Sequence, residues 1–364
     1  MCHSALALET LRREGDEVVE GFFTCGCGIQ YPVIQGVPRM LPPPLLSALA
    51  ADYPEFFRLY AERMSPTVGA QHSRDAKVKR ATQEAFGYEW TWAADYHAVN
   101  FADWLPADCD AHTLFPGRVG LEVGCGAGRH AALTASLAKE HIAVDLSRAV
   151  DSAFSRTRAL RNCHVVQADV FHLPFLPQTF DYVYCLGVLQ HLPDPEAGFY
   201  VLARQPRPEG TLLVNVYQAS RPTVLFVLEL IRKVTTRLPN AMLKYVSVGA
   251  GCLDYGLFIA PWRRISATRL GRVMRPLVPE RIREYAKHDF DTCVTDWFDR
   301  LSCPLKKHYK REDRYRWYAN AGYADVTVTP YWKAFWNGYG KRREDRSQAG
   351  ATVGAGLAAQ EGGS

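Results

Sequence analysis

The run Val119-Gly-Leu-Glu-Val123, Gly124-Cys-Gly-Ala-Gly128 and a helical stretch from Arg129 constrains this chain more than any other feature. A strand that feeds a glycine turn and then a helix turns backbone N–H groups and the positive end of a helix dipole toward an anionic ligand. Glycine permits the tight turn and the close approach of the ligand to the backbone. A glycine turn by itself is also a plain strand-to-helix connection, so the spacing has to discriminate. The dinucleotide fingerprint carries a third Gly or Ala where this chain has Arg129. Glycines at 124, 126 and 128, preceded by Glu122, follow a different pattern.

The downstream order narrows the choice. His141-Ile-Ala-Val144 reads as a second strand, ended by Asp145, 21 residues after Gly124. A carboxylate there can accept from both hydroxyls of a ribose, each charged hydrogen bond worth about 1.5–3 kcal/mol. The alternative is a cap for the next helix. His164-Val-Val-Gln167 is a third strand, and Asp169 behind it places a second acid at the same sheet edge, where it can accept from an adenine amino group. Phe180–Cys185, followed by Leu186-Gly187, and Gly210–Tyr217 are the fourth and fifth strands. Short β-branched runs alternating with helical patterns predict βαβ units and a parallel sheet.

Glu122–Gly128, Val144-Asp145-Leu146, Ala168-Asp169 and Leu186-Gly-Val-Leu-Gln-His-Leu-Pro-Asp194 together resemble the ordered motifs of class I, type 11-like, S-adenosylmethionine-dependent methyltransferases. The resemblance implies an α/β fold, a Rossmann-like sheet with helices on both faces, and S-adenosyl-L-methionine as cofactor. It implies that Glu122, Gly124, Cys125, Gly126 and Gly128 lie beneath the methionine part. It sets Asp145 and Leu146 at the ribose, Asp169 and Val170 at adenine, and backbone groups of Leu186 and Gly187 at the methionine amino group.

Residues 116–217 are the expected Rossmann-like cofactor-binding core, and the flanks divide by composition. Residues 1–45 are punctuated by Gly and Pro. Within them Gly21–Cys25 and Gly28–Pro38 resemble the second half of a zinc-ribbon-like segment often fused ahead of such methyltransferases. That segment carries two Cys-x-x-Cys knuckles. Here Cys25-x-Cys27 is one residue short, and Cys2 alone remains of the first knuckle. Either the ribbon is degenerate or the chain starts further upstream. Cys2, Cys25 and Cys27 are the candidate zinc ligands, with His3 as the alternative fourth; three thiolates do not complete a four-thiolate site, so the expectation is a metal-free packing module.

Residues 46–115 read as a helical, aromatic-rich cap, in which Tyr88–Trp92 either packs as core or walls the cofactor or acceptor. Residues 218–290 form a basic and hydrophobic insertion after the fifth strand, expected as a helical lid; 221–287 hold 13 Lys/Arg against 4 Asp/Glu. Residues 291–340 complete the core. Residues 341–364 turn charged and then Ala/Gly-rich, which predicts a disordered tail.

The longest apolar run, Thr223–Leu228, is far short of the roughly 20 residues of a membrane span. The opening residues lack a signal-peptide core, and ten scattered cysteines argue for reduced thiols. The expected location is cytoplasmic. His191, behind the fourth strand, is the first catalytic candidate, with a structural role as its alternative. His288 and Asp291 form the second cluster, with helix capping as the alternative. The leading reading is transfer of a methyl group to a small-molecule acceptor, secondary-metabolite or carrier-bound, anionic or hydrophobic. The alternatives are an RNA or protein methyltransferase, suggested by the basic insertion, and a cofactor-binding relative with non-methylating chemistry. No nucleic-acid module accompanies the basic residues. A homo-oligomer is compatible with the sequence, and the methylated atom stays open.

Overall fold

The computed structural model describes residues 4–46, 49–63, 74–93, 105, 109–219, 222–331 and 334–344. It opens with an antiparallel meander, β1 (Leu6–Glu14), β2 (Glu17–Cys25), β3 (Gln30–Ile34) and β4 (Val37–Met40). Gln35 and Gly36, both at positive φ, make the two-residue turn between β3 and β4. Three short helices follow, α1 (Pro43–Leu46), α2 (Leu49–Asp52) and α3 (Pro54–Leu59), then the long α4 (Arg74–Trp92) and α5 (Ala111–Leu114).

The middle of the chain alternates strand and helix: β5 (Val119–Val123), α6 (Arg129–Ala135), β6 (Glu140–Asp145), α7 (Val150–Thr157), β7 (Cys163–Ala168), β8 (Phe180–Cys185), α8 (Pro195–Ala203) and β9 (Pro206–Tyr217). Strands β5 to β9 pair in parallel, in the order β7-β6-β5-β8-β9. The order reverses between β5 and β8, and in open α/β sheets ligands bind beyond the carboxyl ends of the strands at such a reversal. These strands are buried along most of their length, as expected when helices cover both faces. On one face Leu121, Val144, Val183 and Leu212 pack with Phe199 and Leu202 of α8.

The insertion after β9 is helical: α9 (Pro222–Thr235), α10 (Asn240–Asp254), α11 (Ala260–Ile265), α12 (Arg269–Met274), α13 (Glu280–Tyr285) and α14 (Phe290–Ser302). Then α15 (Arg311–Asn320), β10 (Tyr323–Tyr331) and β11 (Phe335–Arg342) close the fold, with β11 antiparallel between β9 and β10. Strand β11 therefore carries order two residues beyond the expected start of the tail at 341; residues 345–364 lie outside the described residues.

The N-terminal segment does not stand apart as a knuckle. Strand β4 runs parallel to β7, with Arg39 opposite Gln167 and Met40 opposite Ala168, so the meander extends the same sheet to eleven strands. Arg39 is fully buried at this seam. It donates to Gln167 Oε1 at 3.0 Å, Ile34 O at 3.0 Å and Asp151 Oδ1 at 2.6 Å. The Sγ atoms of Cys25 and Cys27 stand 3.2 Å apart, and Cys2 lies outside the described residues. Among the described residues no group of three or more His, Cys, Asp or Glu is placed to hold a metal ion.

Candidate active site

The glycine loop leaves β5 with Gly124, Gly126 and Gly128 all at positive φ, +87°, +51° and +75°. Two of these positions are closed to any side chain by packing. A Cβ at Gly124 would stand 2.0 Å from Val188 Cγ2, and one at Gly128 would stand 2.8 Å from Ala153 Cα. The loop's N–H groups are largely used inside the protein. Gly124 and Cys125 donate to Val144 O at 2.7 and 3.0 Å, Gly128 to Cys125 O at 2.9 Å, and Gly126 to Asp145 Oδ2 at 2.9 Å. This corrects the simple picture of an anion cradle: the loop offers a ligand close approach more than it offers free donors.

Beside the loop opens a cavity of about 150 Å³. Its floor comes from Glu122, Gly124, Cys125, Gly126, Asp145, Leu146, Asp169, Val170, Leu186 and Gly187, so one wall gathers residues from the ends of β5, β6, β7 and β8. Gly128, also in the expected set, packs against α7 behind the loop. Asp145 accepts from Gly126 N and, on Oδ1, from Ser147 N at 2.8 Å and Ser147 Oγ at 2.7 Å. Burial raises its carboxyl above the ordinary value, and these hydrogen bonds oppose the rise. Burial pushes Asp169 the same way, but His172 and Lys79 outweigh it and hold the carboxyl below its usual range. Glu122 faces a buried group as well, accepting from Tyr184 OH at 3.0 Å.

The cover of the cavity is α4. Lys79, Thr82, Gln83, Phe86 and Trp90 line it; Lys79, Thr82 with Gln83, Phe86 and Trp90 recur every three to four residues, which defines one helix face. Lys79 donates to Asp169 Oδ2 at 2.7 Å, and its Nζ lies 4.4 Å from the centre of the Phe171 ring. The Trp90 ring lies 3.2 Å from where a Gly126 Cβ would stand and carries the Arg129 guanidinium at 4.7 Å. Tyr88 and Trp92 turn the other way and pack on Phe298 of α14. The aromatic stretch thus serves both as wall and as core. Periodicity could have separated the two pairs, Phe86/Trp90 and Tyr88/Trp92, but nothing local marked Lys79.

His191 also lines the cavity, and is only 4% exposed. Its Nδ1 donates to Leu305 O at 2.8 Å, which leaves Nε2 as the unprotonated nitrogen. Burial pushes its pKa down to about 4, with Asp299 opposing and Lys306 assisting, so the ring is neutral at pH 7. Behind it lies a polar cluster that the sequence did not single out. Asp299 Oδ2 accepts from Lys306 at 2.8 Å and from Tyr217 OH at 3.2 Å. Burial works against the Asp299 carboxylate, yet Lys306, His191 and Tyr217 hold it at about 2. Glu89 is buried nearby, and burial, then Asp299, push it well above the carboxylate range. His288 and Asp291 are not brought to the cavity. His288 sits edge-on to Tyr285, and Asp291 is exposed in the first turn of α14. None of the described residues of the insertion 218–290 lines the cavity either; α10 and α14 pack behind its cover, with Asn240 Nδ2 donating to Glu84 O at 3.3 Å.

Residues 121–214 match the family model described as a methyltransferase domain. That span covers most of β5, all of β6 to β8 and most of β9, with the glycine loop and both acids. Residues 121–214 form a class I methyltransferase domain. An uncharacterized protein of Synechococcus sp. is 33% identical over 139 residues, 36% of this chain and 31% of that protein. A protein of Azoarcus sp. named ubiquinone biosynthesis O-methyltransferase is 26% identical over 180 residues, 47% of this chain and 71% of that protein. The chain thus spans about a third of the first relative's length. Among solved structures, the 1,6-didemethyltoxoflavin-N1-methyltransferase of Burkholderia thailandensis has a TM-score of 0.44 at 14% identity, covering 76% of this chain and 94% of that one.

Proposed function

We propose that this chain transfers a methyl group from S-adenosyl-L-methionine to a small-molecule acceptor, as a biosynthetic enzyme of the cytoplasm. The observation that carries the reading is a single cavity whose wall joins the methyltransferase domain's glycine loop, Asp145, Asp169 and the Leu186-Gly187 turn. The relative named for ubiquinone biosynthesis supports a small-molecule acceptor. Among the described residues the basic insertion does not border the cavity, so its charge does not argue for a nucleic-acid acceptor.

The residues present fit the cofactor, with one adjustment. A carboxylate has about four acceptor positions, and Asp145 already uses three on Gly126 and Ser147. It has room for one ribose hydroxyl, where the sequence suggested two. Asp169 is the acceptor for an adenine amino group, in competition with Lys79. Gln190 is fully buried with neither side-chain atom hydrogen-bonded among the described residues, and its Nε2 is 4.0 Å from where a Gly187 Cβ would stand. It supplies uncommitted donor and acceptor capacity beside the turn assigned to the methionine amino group.

When bound, the cofactor supplies a methyl group already activated on a sulfonium. The chain's task is alignment and exclusion of water. Proximity and orientation can lower such a barrier by roughly 7–11 kcal/mol. Phe86 and Trp90 close the cavity from above, while the glycine loop holds the floor close to the ligand. His191 is neutral at pH 7 and cannot donate a proton as an imidazolium. Its Nε2 lone pair can accept one from an acceptor hydroxyl or amine, a contribution that is modest for so weak a base.

Calorimetry with S-adenosylmethionine, S-adenosylhomocysteine and NAD tests the binding half of the proposal. The first two bind in the low-micromolar to sub-millimolar range and NAD does not; NAD as the tighter ligand overturns the reading. Mass spectrometry of small-molecule extracts incubated with enzyme and labelled cofactor tests transfer, through a labelled product that is absent without enzyme and reduced with Asp145→Ala at sub-saturating cofactor.

A further inference from the structure

Fifteen of the 22 large apolar side chains that stand exposed among the described residues lie between Val224 and Leu277. Their arrangement is inverted relative to an ordinary surface helix. On α9, Val224, Val227, Ile231 and Val234 follow one another at helical spacing and face outward with Phe226 and Leu230. The inward side of the same helix carries polar groups. Arg232 is 5% exposed and donates to Cys303 O at 3.1 and 2.6 Å, and Thr235 donates to Leu301 O at 2.8 Å. Helix α10 repeats the pattern. Leu243 packs inward on Phe298 and Leu301, and beyond it Ser247, Gly251 and Asp254 are buried, while Tyr245 and Leu253 stand exposed. Gly251 lies so close to α14 that a Cβ would come within 2.8 Å of Val294 Cγ2. Small residues at the helix contact with large apolar ones outside are what an apolar surrounding selects.

Charge completes the pattern. Three of the four carboxylates in 221–287 are taken by neighbours: Glu229 by Arg232, Asp254 by Arg281 and Glu284 by Lys287. Arg264, Arg269, Arg272 and Arg275 remain exposed, interleaved with Leu270, Val273 and Leu277, the last two 76% and 81% exposed. With 13 basic against 4 acidic residues, the segment carries +9. A second copy laid on this face would set that charge against itself, whereas an anionic lipid surface accepts both the arginines and the apolar side chains. Among the described residues no helix is long and apolar enough to cross a membrane, so the contact is with the surface layer.

We propose that helices α9 to α12 form a docking face for an anionic lipid bilayer, into whose interface the exposed apolar side chains insert. Because α10 and α14 pack on α4, which covers the cavity, docking sets the cavity beside the lipid phase. The surface contact does not depend on the proposed methyl transfer and is tested without it.

The test is sedimentation of the full chain with vesicles of phosphatidylcholine alone or mixed with phosphatidylglycerol. Binding to the mixed vesicles should be at least about tenfold stronger and should weaken as salt rises from ~0.1 to ~0.5 M. The triple variant Phe226→Ser, Leu257→Ser, Leu277→Ser alters exposed side chains only, so it should keep its melting temperature while losing vesicle binding about tenfold or more. The variant Arg269→Glu, Arg272→Glu, Arg275→Glu should lose the preference for anionic vesicles. Absence of binding to either vesicle overturns the proposal. So does a dimer in sedimentation velocity that the triple serine variant converts to monomer, which would make a second copy the occupant.

Discussion

Lys79 of α4 donates to Asp169 at the end of β7 over 2.7 Å, although 90 residues separate them in sequence. The pair ties the cover of the cavity to its floor, at the acid proposed for adenine. Lys79→Met should therefore lower the melting temperature of the ligand-free protein, by the loss of about 1–3 kcal/mol for a charged, mostly buried hydrogen bond. The same variant should bind S-adenosylhomocysteine more tightly, because the adenine amino group no longer competes for Asp169. Calorimetry showing tenfold weaker binding would mean that Lys79 itself touches the ligand.

Gly124→Ala should abolish cofactor binding. Its Cβ would meet Val188 Cγ2 at 2.0 Å on a backbone held at φ +87°. Adding Val188→Ala relieves the clash but not the left-handed backbone, so titration of the double variant should show only partial recovery. Full recovery would show that the loop can change its conformation.

Asp145→Ala should weaken cofactor binding by about 1.5–3 kcal/mol, roughly ten- to a hundredfold or more. The structure adds a second consequence. Asp145 also holds Gly126 N and Ser147, so the ligand-free variant should melt lower than wild type. Scanning calorimetry without ligand separates the two effects; an unchanged melting temperature would count against the loop-holding role.

Stability should fall as pH drops below about 6.5. His191 titrates at about 4 in the fold against an ordinary 6.5, because burial disfavours its charged form. The unfolded chain therefore binds more protons between these values. Stability from this group is complete above 6.5 and is lost toward 4, worth about 3 kcal/mol in total. His308, about 4, and His130, about 3, act in the same direction. Glu89 and Asp145, raised by burial, pull the other way. Denaturant titrations of wild type and His191→Gln from pH 7 to pH 4 isolate the single histidine: their stabilities should converge as pH falls.

The α/β class, the order of the strands along the chain and the floor of the cavity were legible in sequence because each rests on local chemistry. Gly124 and Gly128 declare themselves because turn geometry and close packing exclude a Cβ. Asp145 and Asp169 declare themselves because a parallel strand delivers its last residue to a known edge of the sheet. The N-terminal segment was harder to place. It resembled a separate, metal-free ribbon-like module, while the pairing of β4 with β7, sealed by buried Arg39, depends on partners more than a hundred residues away.

The insertion shows most clearly what sequence leaves open. Its basic and apolar content was plain, and the segment read as a helical lid. In the fold Arg232 points inward to Cys303 O, the apolar residues point outward, and α4 covers the cavity instead. Helical periodicity says which residues share a face but not which face turns to the core. The sequence by itself determined the methyltransferase core, the glycine loop and the two acids, since these follow from backbone conformation and strand polarity. Only the tertiary structure decided the cover, the Lys79–Asp169 tie and the outward apolar surface, because each depends on which distant elements pack together.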